Sequence, residues 1–225
     1  MADDRLRKVQ RSALESQGLH ERARQLRERF RAGDLQEPRL RAAAHAGDLA
    51  ARWVVDDCGE DPGPIEVQRW MATLLQIEPA ALLVALVNLS ELVLPTWESE
   101  CPADPRVRSG VEAARALIVA PGSEEGLSRA AASLPELASA AYDAFGRHGE
   151  GERGARAANA ALTVRAVLAA ILAVEGTPFV PGGTAVDWSH AVVGGVESVC
   201  SDERDRTLLE VAARAVIRWA LVDPA

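Results

Sequence analysis

The stretch that decides the fold opens as Pro79-Ala80-Ala81-Leu82-Leu83-Val84-Ala85-Leu86-Val87-Asn88-Leu89-Ser90-Glu91-Leu92-Val93-Leu94. It turns through Pro95-Thr96-Trp97-Glu98-Ser99-Glu100-Cys101-Pro102-Ala103-Asp104-Pro105 and resumes at Arg106 toward Val111-Glu112-Ala113-Ala114-Arg115-Ala116-Leu117. The first part is apolar nearly all round, which predicts a central buried helix ending at Leu94. Asp104-Pro105 reads as an N-cap followed by proline at the first helical position. Val107, Val111, Ala114 and Ile118 then give the next helix a core face. The unit is a helix, a turn and a helix, and it carries no catalytic group.

The rest of the chain repeats this grammar. Asp3 to Ala32 has a thin apolar stripe among Arg and Glu and predicts a peripheral polar helix, broken or bent near Gly18. Gly47 suits the left-handed closure of one short helix and Asp48 the cap of the next, so residues 39–55 read as one HEAT-like helix pair. After a loop, Gly59 to Pro64, a helix places Val67, Trp70, Met71 and Leu74 on one face. Further helices are predicted from Ser123 to Ser133, Pro135 to Phe145, Ala155 to Val174, Thr184 to Cys200 and Asp202 to Leu221, the last buried through Leu208, Ala212, Ala215 and Trp219. Gly194-Gly195 interrupts an apolar helical pattern at a cost of roughly 1 kcal/mol per glycine, and should serve a close crossing or a kink. Every long apolar stretch fits the 3.6-residue period, which predicts an all-α fold of eight to ten helices without a sheet. The architecture is an irregular multi-helix bundle or HEAT-like stack. Residues 1–33 form the peripheral helix and 34–225 one helical domain, with a sub-boundary at 146–154.

Composition narrows function by exclusion. An apolar share of 48% in 225 residues excludes wholesale disorder, and an aromatic share of 4% suits alanine-rich helix contacts. Lys8 is the single lysine, a preference for arginine expected of a GC-rich bacterial genome. The net charge of −8 is uneven: residues 1–52 carry +4 and residues 53–104 carry −9. An acidic band of that size repels nucleic acid and attracts a basic partner. The apolar run Pro79 to Val87 is too short for a bilayer. Cys58, Cys101 and Cys200 imply no disulfide framework, and a cytoplasmic location is expected.

Chemistry-bearing residues are scattered. His20, His45, His148 and His190 lie in separate segments without a second ligand at helical spacing, so no metal site is expected. Cys200 and His190 read as a small buried hydrophobe and an unrelated histidine. The glycine-rich stretches lack the Gly-Lys-Ser/Thr of a phosphate loop, and no cofactor and no catalytic set are expected.

The segments Leu94-Pro95-Thr96-Trp97-Glu98, Pro102-Ala103-Asp104-Pro105-Arg106 and Val111-Glu112-Ala113-Ala114-Arg115-Ala116-Leu117 resemble a family of helical bacterial proteins related to the fifth class of polymorphic-toxin immunity domains. The resemblance covers residues 70–174 and departs at Val107, where proline is common, and at Leu117, where tryptophan is common. It implies an all-helical protein that acts by binding another protein and neutralising it.

The leading reading is therefore a non-enzymatic protein-binding domain whose partner has a basic surface. Its contacts are expected from Asp56, Asp57, Glu60, Asp61, Glu98, Glu100 and Asp104 around Trp97 as apolar anchor. The alternative is an enzyme or small-molecule sensor with a site assembled between helices.

Overall fold

The computed structural model describes the backbone of residues 2–55, 67–148, 151–177, 183–200 and 205–222, with the side chains of all of these except 2–16, 148 and 205–207. Among the described residues the regular elements are ten α-helices and no strand: α1 (Ala2–Ala32), α2 (Glu37–His45), α3 (Leu49–Val54), α4 (Val67–Ile77), α5 (Pro79–Glu100), α6 (Arg106–Val119), α7 (Glu124–His148), α8 (Glu152–Val174), α9 (Ala185–Val199) and α10 (Asp205–Leu221). The all-α class expected from the periodicity holds.

The helices fall into two compact units, Met1–Gly63 with Val216–Ala225, and Pro64–Ala215. The chain thus does not divide after residue 33. α1 is no peripheral arm, because Ala23 and Leu26, spaced to share one face, are buried with Leu35, Leu40, Ala43, Ala44, Ala50 and Ala51. Ala220 and Leu221 from the end of α10 complete that core. Nor is α1 broken at Gly18, which lies inside the continuous helix.

Unit 1 is closed by local chemistry. At Gly33 (φ +82°) and Gly47 (φ +99°) the backbone turns into the left-handed region. The amides of Asp34 and Asp48 reach back to the carbonyls of Arg29 and Ala43, both at 3.0 Å, so orphan carbonyls at the ends of α1 and α2 are satisfied. Asp48 caps α3 by accepting from the Ala51 amide at 2.9 Å, and its other oxygen accepts from Arg22 at 2.7 Å. Arg29 donates to the Leu221 carbonyl at 2.7 Å, and the Arg39 guanidinium lies 4.6 Å over the Trp219 ring.

Unit 2 is organised about α5 and α8. α8 buries residues on every side, from Gly154 to Leu172, and packs against α5, α6, α7 and α9. α4 buries the predicted face of Val67, Trp70, Met71 and Leu74. Small residues let the helices close on α8: a Cβ on Gly110 of α6 would lie 2.9 Å from Val164 Cγ1, and one on Gly195 of α9 would overlap Thr163 Oγ1. Gly195 therefore serves the close crossing expected of the glycine pair, whereas Gly194 faces open space.

Two prolines do not end helices as predicted. Pro95 lies inside α5 and Pro135 inside α7, so α5 runs on to Glu100 and the two helices expected around Pro135 are one. A proline removes one amide donor, yet here both rings are exposed while Val93 and Trp97, and Leu134 and Leu137, stay buried on either side. Packing of those side chains carries the helix across the gap. With its extension α5, and independently α8, is long and apolar enough, by length and composition, to cross a bilayer. That corrects the estimate from Pro79 to Val87, although 61% and 72% of their most apolar windows are buried inside the protein.

Candidate functional site

The richest surface chemistry among the described residues lies in unit 2, where the α5–α6 turn meets the end of α7. The turn is built by Trp97. Its side chain is 1% exposed, and its indole Nε1 donates to the Asp104 carbonyl at 2.9 Å. Trp97 thus pins the turn from inside and cannot serve as the surface anchor expected of it.

Asp104 is the hub of the network above the turn. Its carboxylate accepts from the Arg106 backbone amide at 3.2 Å and from Arg106 Nε at 2.9 Å. It also accepts from Arg106 Nη2 at 2.5 Å and from Arg147 Nη2 at 3.2 Å. The N-cap of α6 falls one residue later than predicted, at Pro105, and Asp104 reaches over it to accept from the Arg106 amide. Arg106 also donates to Asp143 of α7 at 2.8 Å. The hydrogen bonds from Arg106 hold the Asp104 carboxyl down at about 2, below its ordinary value, and the same partner pushes the Arg106 guanidinium up. Beside them burial pushes the Cys101 thiol up from its ordinary value.

The remaining acidic candidates divide into two groups. Asp56, Asp57, Glu60 and Asp61 lie outside the described residues. Glu98 and Glu100 occupy the last turn of α5 and not a loop, and Glu98 is ion-paired with Arg108. Glu91 is likewise paired with Arg115 at 2.7 Å. The sequence count of −9 over residues 53–104 therefore overstates the field of the described part. Arg106, Arg108, Arg115 and Arg147, all beyond the segment, fold back onto its carboxylates.

The surface also holds two aromatic side chains that the sequence reading passed over. Tyr142 is 81% exposed and Phe145 44%. They stand one turn apart on α7, whose buried side is Ala130, Leu134, Leu137, Ala141 and Ala144. Tyr142, Asp143, Gly146 and Arg147 line an open depression of about 450 Å³. The Arg147–Asp104 and Arg106–Asp143 contacts tie this to a second depression of about 370 Å³ over Trp97, Glu98, Cys101 and Arg108. One signal for the pair was readable: Tyr142 is the single tyrosine of the chain, three positions from an aromatic and out of phase with the apolar stripe.

Among the described residues no group of three or more His, Cys, Asp or Glu is placed to hold a metal ion. Nor does the rim contain a nucleophile and base in contact. The rim presents exposed aromatic area beside charged hydrogen-bond groups already held in place. No protein-family model matches the chain, and no curated protein or solved structure matches it either.

Proposed function

We propose that the protein is a non-enzymatic, partner-binding helical domain whose docking surface is the rim formed by the end of α7 and the α5–α6 turn. The observation that carries this reading is the exposure of Tyr142 and Phe145 beside the ordered Arg106–Asp143–Asp104–Arg147 network. Tyrosine, phenylalanine and arginine are enriched where protein interfaces concentrate their binding energy. The network is already ordered, so a partner meets donors and acceptors fixed in place.

The partner is a protein with a basic surface, bound and neutralised as an immunity-type protein neutralises a toxin. Two things support this finer reading: the excess of acidic residues over residues 53–104, and the resemblance carried by Leu94 to Leu117. The signature residues Trp97, Asp104 and Arg106 close the α5–α6 turn in this structure, so they present the rim and do not themselves supply its apolar contact. A cytoplasmic site of action belongs to the same proposal, supported by Cys101 and Cys200, which no disulfide joins among the described residues.

The test starts with a photo-crosslinking amino acid at position 142 in the native host, with position 162 of α8 as exposed control, and identifies the protein captured only from position 142. Association of the purified pair is then measured. Tyr142→Ala with Phe145→Ala is expected to weaken it by about a hundredfold or more, mainly through the off-rate. Glu98→Lys with Glu100→Lys is expected to slow the on-rate and flatten its salt dependence. A partner whose affinity ignores the aromatic pair overturns the docking surface. One that ignores the charge reversal alone overturns the basic-partner reading.

A further inference from the structure

The four residues that line the open depression at the end of α7 form two rows along the helix, Tyr142 with Gly146 and Asp143 with Arg147. Residues four apart stand one above the other on a helix, so the depression is the groove between those rows. Gly146 deepens it. Glycine inside a helix is unfavourable relative to alanine. At Gly110 and Gly195 close neighbours explain it, whereas a Cβ on Gly146 would meet nothing within 4 Å. No packing inside the protein asks for glycine at this position, and its effect is to leave the Tyr142 ring and the Asp143 carboxylate open to an incoming group.

The charged walls differ in what they have left to offer. Asp143 Oδ2 accepts from Arg106 at 2.8 Å, while no donor among the described residues reaches Oδ1, and the side chain is 45% exposed. A carboxylate accepts on both oxygens, so Asp143 can take a second guanidinium beside the first. Arg147 is already engaged: its Nη2 donates to Asp104 at 3.2 Å and its Nε to the Asp143 carbonyl at 3.3 Å. The charges of Asp104, Asp143, Arg106 and Arg147 cancel as a set, so local chemistry decides the occupant. An unfilled carboxylate oxygen asks for a donor, and the face of an exposed phenol ring attracts a cation.

We infer that the depression seats one arginine side chain of the partner, its guanidinium stacked on the Tyr142 ring and donating to Asp143 Oδ1 while its stem lies over Gly146. A planar guanidinium can stack by its face and donate by its edge in one pose, which the compact ammonium of lysine cannot. The inference rests on the reading of this rim as the docking surface for a basic partner, and it names the group that partner brings.

Tyr142 is the single tyrosine of the chain, so ring-¹³C tyrosine gives the full-length protein one aromatic reporter at the slot. Titration with N-acetyl-arginine amide is expected to shift that signal to saturation at about 1–10 mM, the affinity open to so small a ligand. N-acetyl-citrulline amide, planar but uncharged, should bind at least about tenfold more weakly, and N-acetyl-lysine amide, charged but without the fork, about threefold or more. Sodium chloride at equal ionic strength should leave the signal in place. Gly146→Leu fills the slot and is expected to abolish the saturable shift while the melting temperature stays level or rises. Should that variant unfold, Asp143→Asn is expected to weaken the arginine probe about tenfold. A signal that never saturates, that answers the citrulline or lysine amide as it answers arginine, or that ignores the changes at Gly146 and Asp143 overturns the slot. The docking surface is judged separately, by the protein captured from position 142. A partner that needs the Tyr142–Phe145 pair yet binds Gly146→Leu as tightly as the parent keeps the rim and removes the arginine slot. A saturable arginine shift with nothing captured keeps the slot and removes the rim as a docking surface.

Discussion

Gly195 of α9 packs directly onto Thr163 of α8, whereas a Cβ at its neighbour Gly194 would meet only open space. Alanine at the two positions should therefore act with opposite sign. Gly195→Ala drives a methyl into Thr163, whose branched side chain is held by a hydrogen bond from Oγ1 to the Asn159 carbonyl at 2.7 Å, and should destabilise by about 1–3 kcal/mol. Gly194→Ala should stabilise by about 0.5–1 kcal/mol, the ordinary preference for alanine inside a helix. Urea denaturation of the two single variants reads both signs, and Thr163→Ala in the Gly195→Ala background should recover part of the loss.

Leu86 of α5 is fully buried, whereas Leu162 of α8 is 43% exposed. Leu86→Ala should cost about 2–5 kcal/mol, and Leu162→Ala about 0.5 kcal/mol or less. Thermal and chemical unfolding should rank them in that order; comparable losses would move the core of unit 2 away from α5.

The pairing of Asp104 with Arg106 and Arg147 makes stability depend on acid. The folded carboxyl titrates at about 2, below its ordinary value of 3.8. The contribution is therefore fully present above about pH 4 and lost as pH falls through 2. Its size at neutral pH is about 2 kcal/mol. Asp104→Asn should be less stable than the parent by about that amount at pH 7, with the difference shrinking toward zero below pH 2. A pH-independent difference would assign the effect to packing.

Trp97 and Tyr142 should separate stability from recognition. Trp97→Phe keeps an aromatic ring in the core but removes the donor to the Asp104 carbonyl, and should cost about 1 kcal/mol of stability while partner binding survives. Tyr142→Ala should do the reverse, because an 81% exposed side chain contributes little to the folded state. Calorimetric unfolding and a binding titration on the same two proteins check the crossed pattern.

What the sequence made legible was local. The face of α4, the Gly47–Asp48 junction and the purpose of Gly195 follow from spacing and conformational preference within a few residues, and each is present. What it hid was carried by distant partners. Pro95 and Pro135 look like stops because a proline costs a local hydrogen bond, and only the packing of Trp97 and Leu137 shows why the helices continue. The acidic band was summed along the chain, but charge neutralises across space, as Arg147 does for Asp104 over 43 positions. For Tyr142 the sequence offers only the phase of the apolar stripe, and its exposure is settled by which side of α7 meets α8. The pairing of α1 with Leu221 had no local signal at all.

That last pairing bears on how the protein is made. The core of unit 1 needs Ala220 and Leu221, and Arg29 waits for the Leu221 carbonyl. On the ribosome α1, α2 and α3 emerge before unit 2, and all of residues 64–215 must be synthesised before their last core side chains exist. Unit 2 is contiguous and has every residue it needs while unit 1 is still open. The order of synthesis and the order of completion are thus reversed, and the apolar faces around Leu26 and Leu40 spend translation uncovered, the interval in which a chaperone would find them.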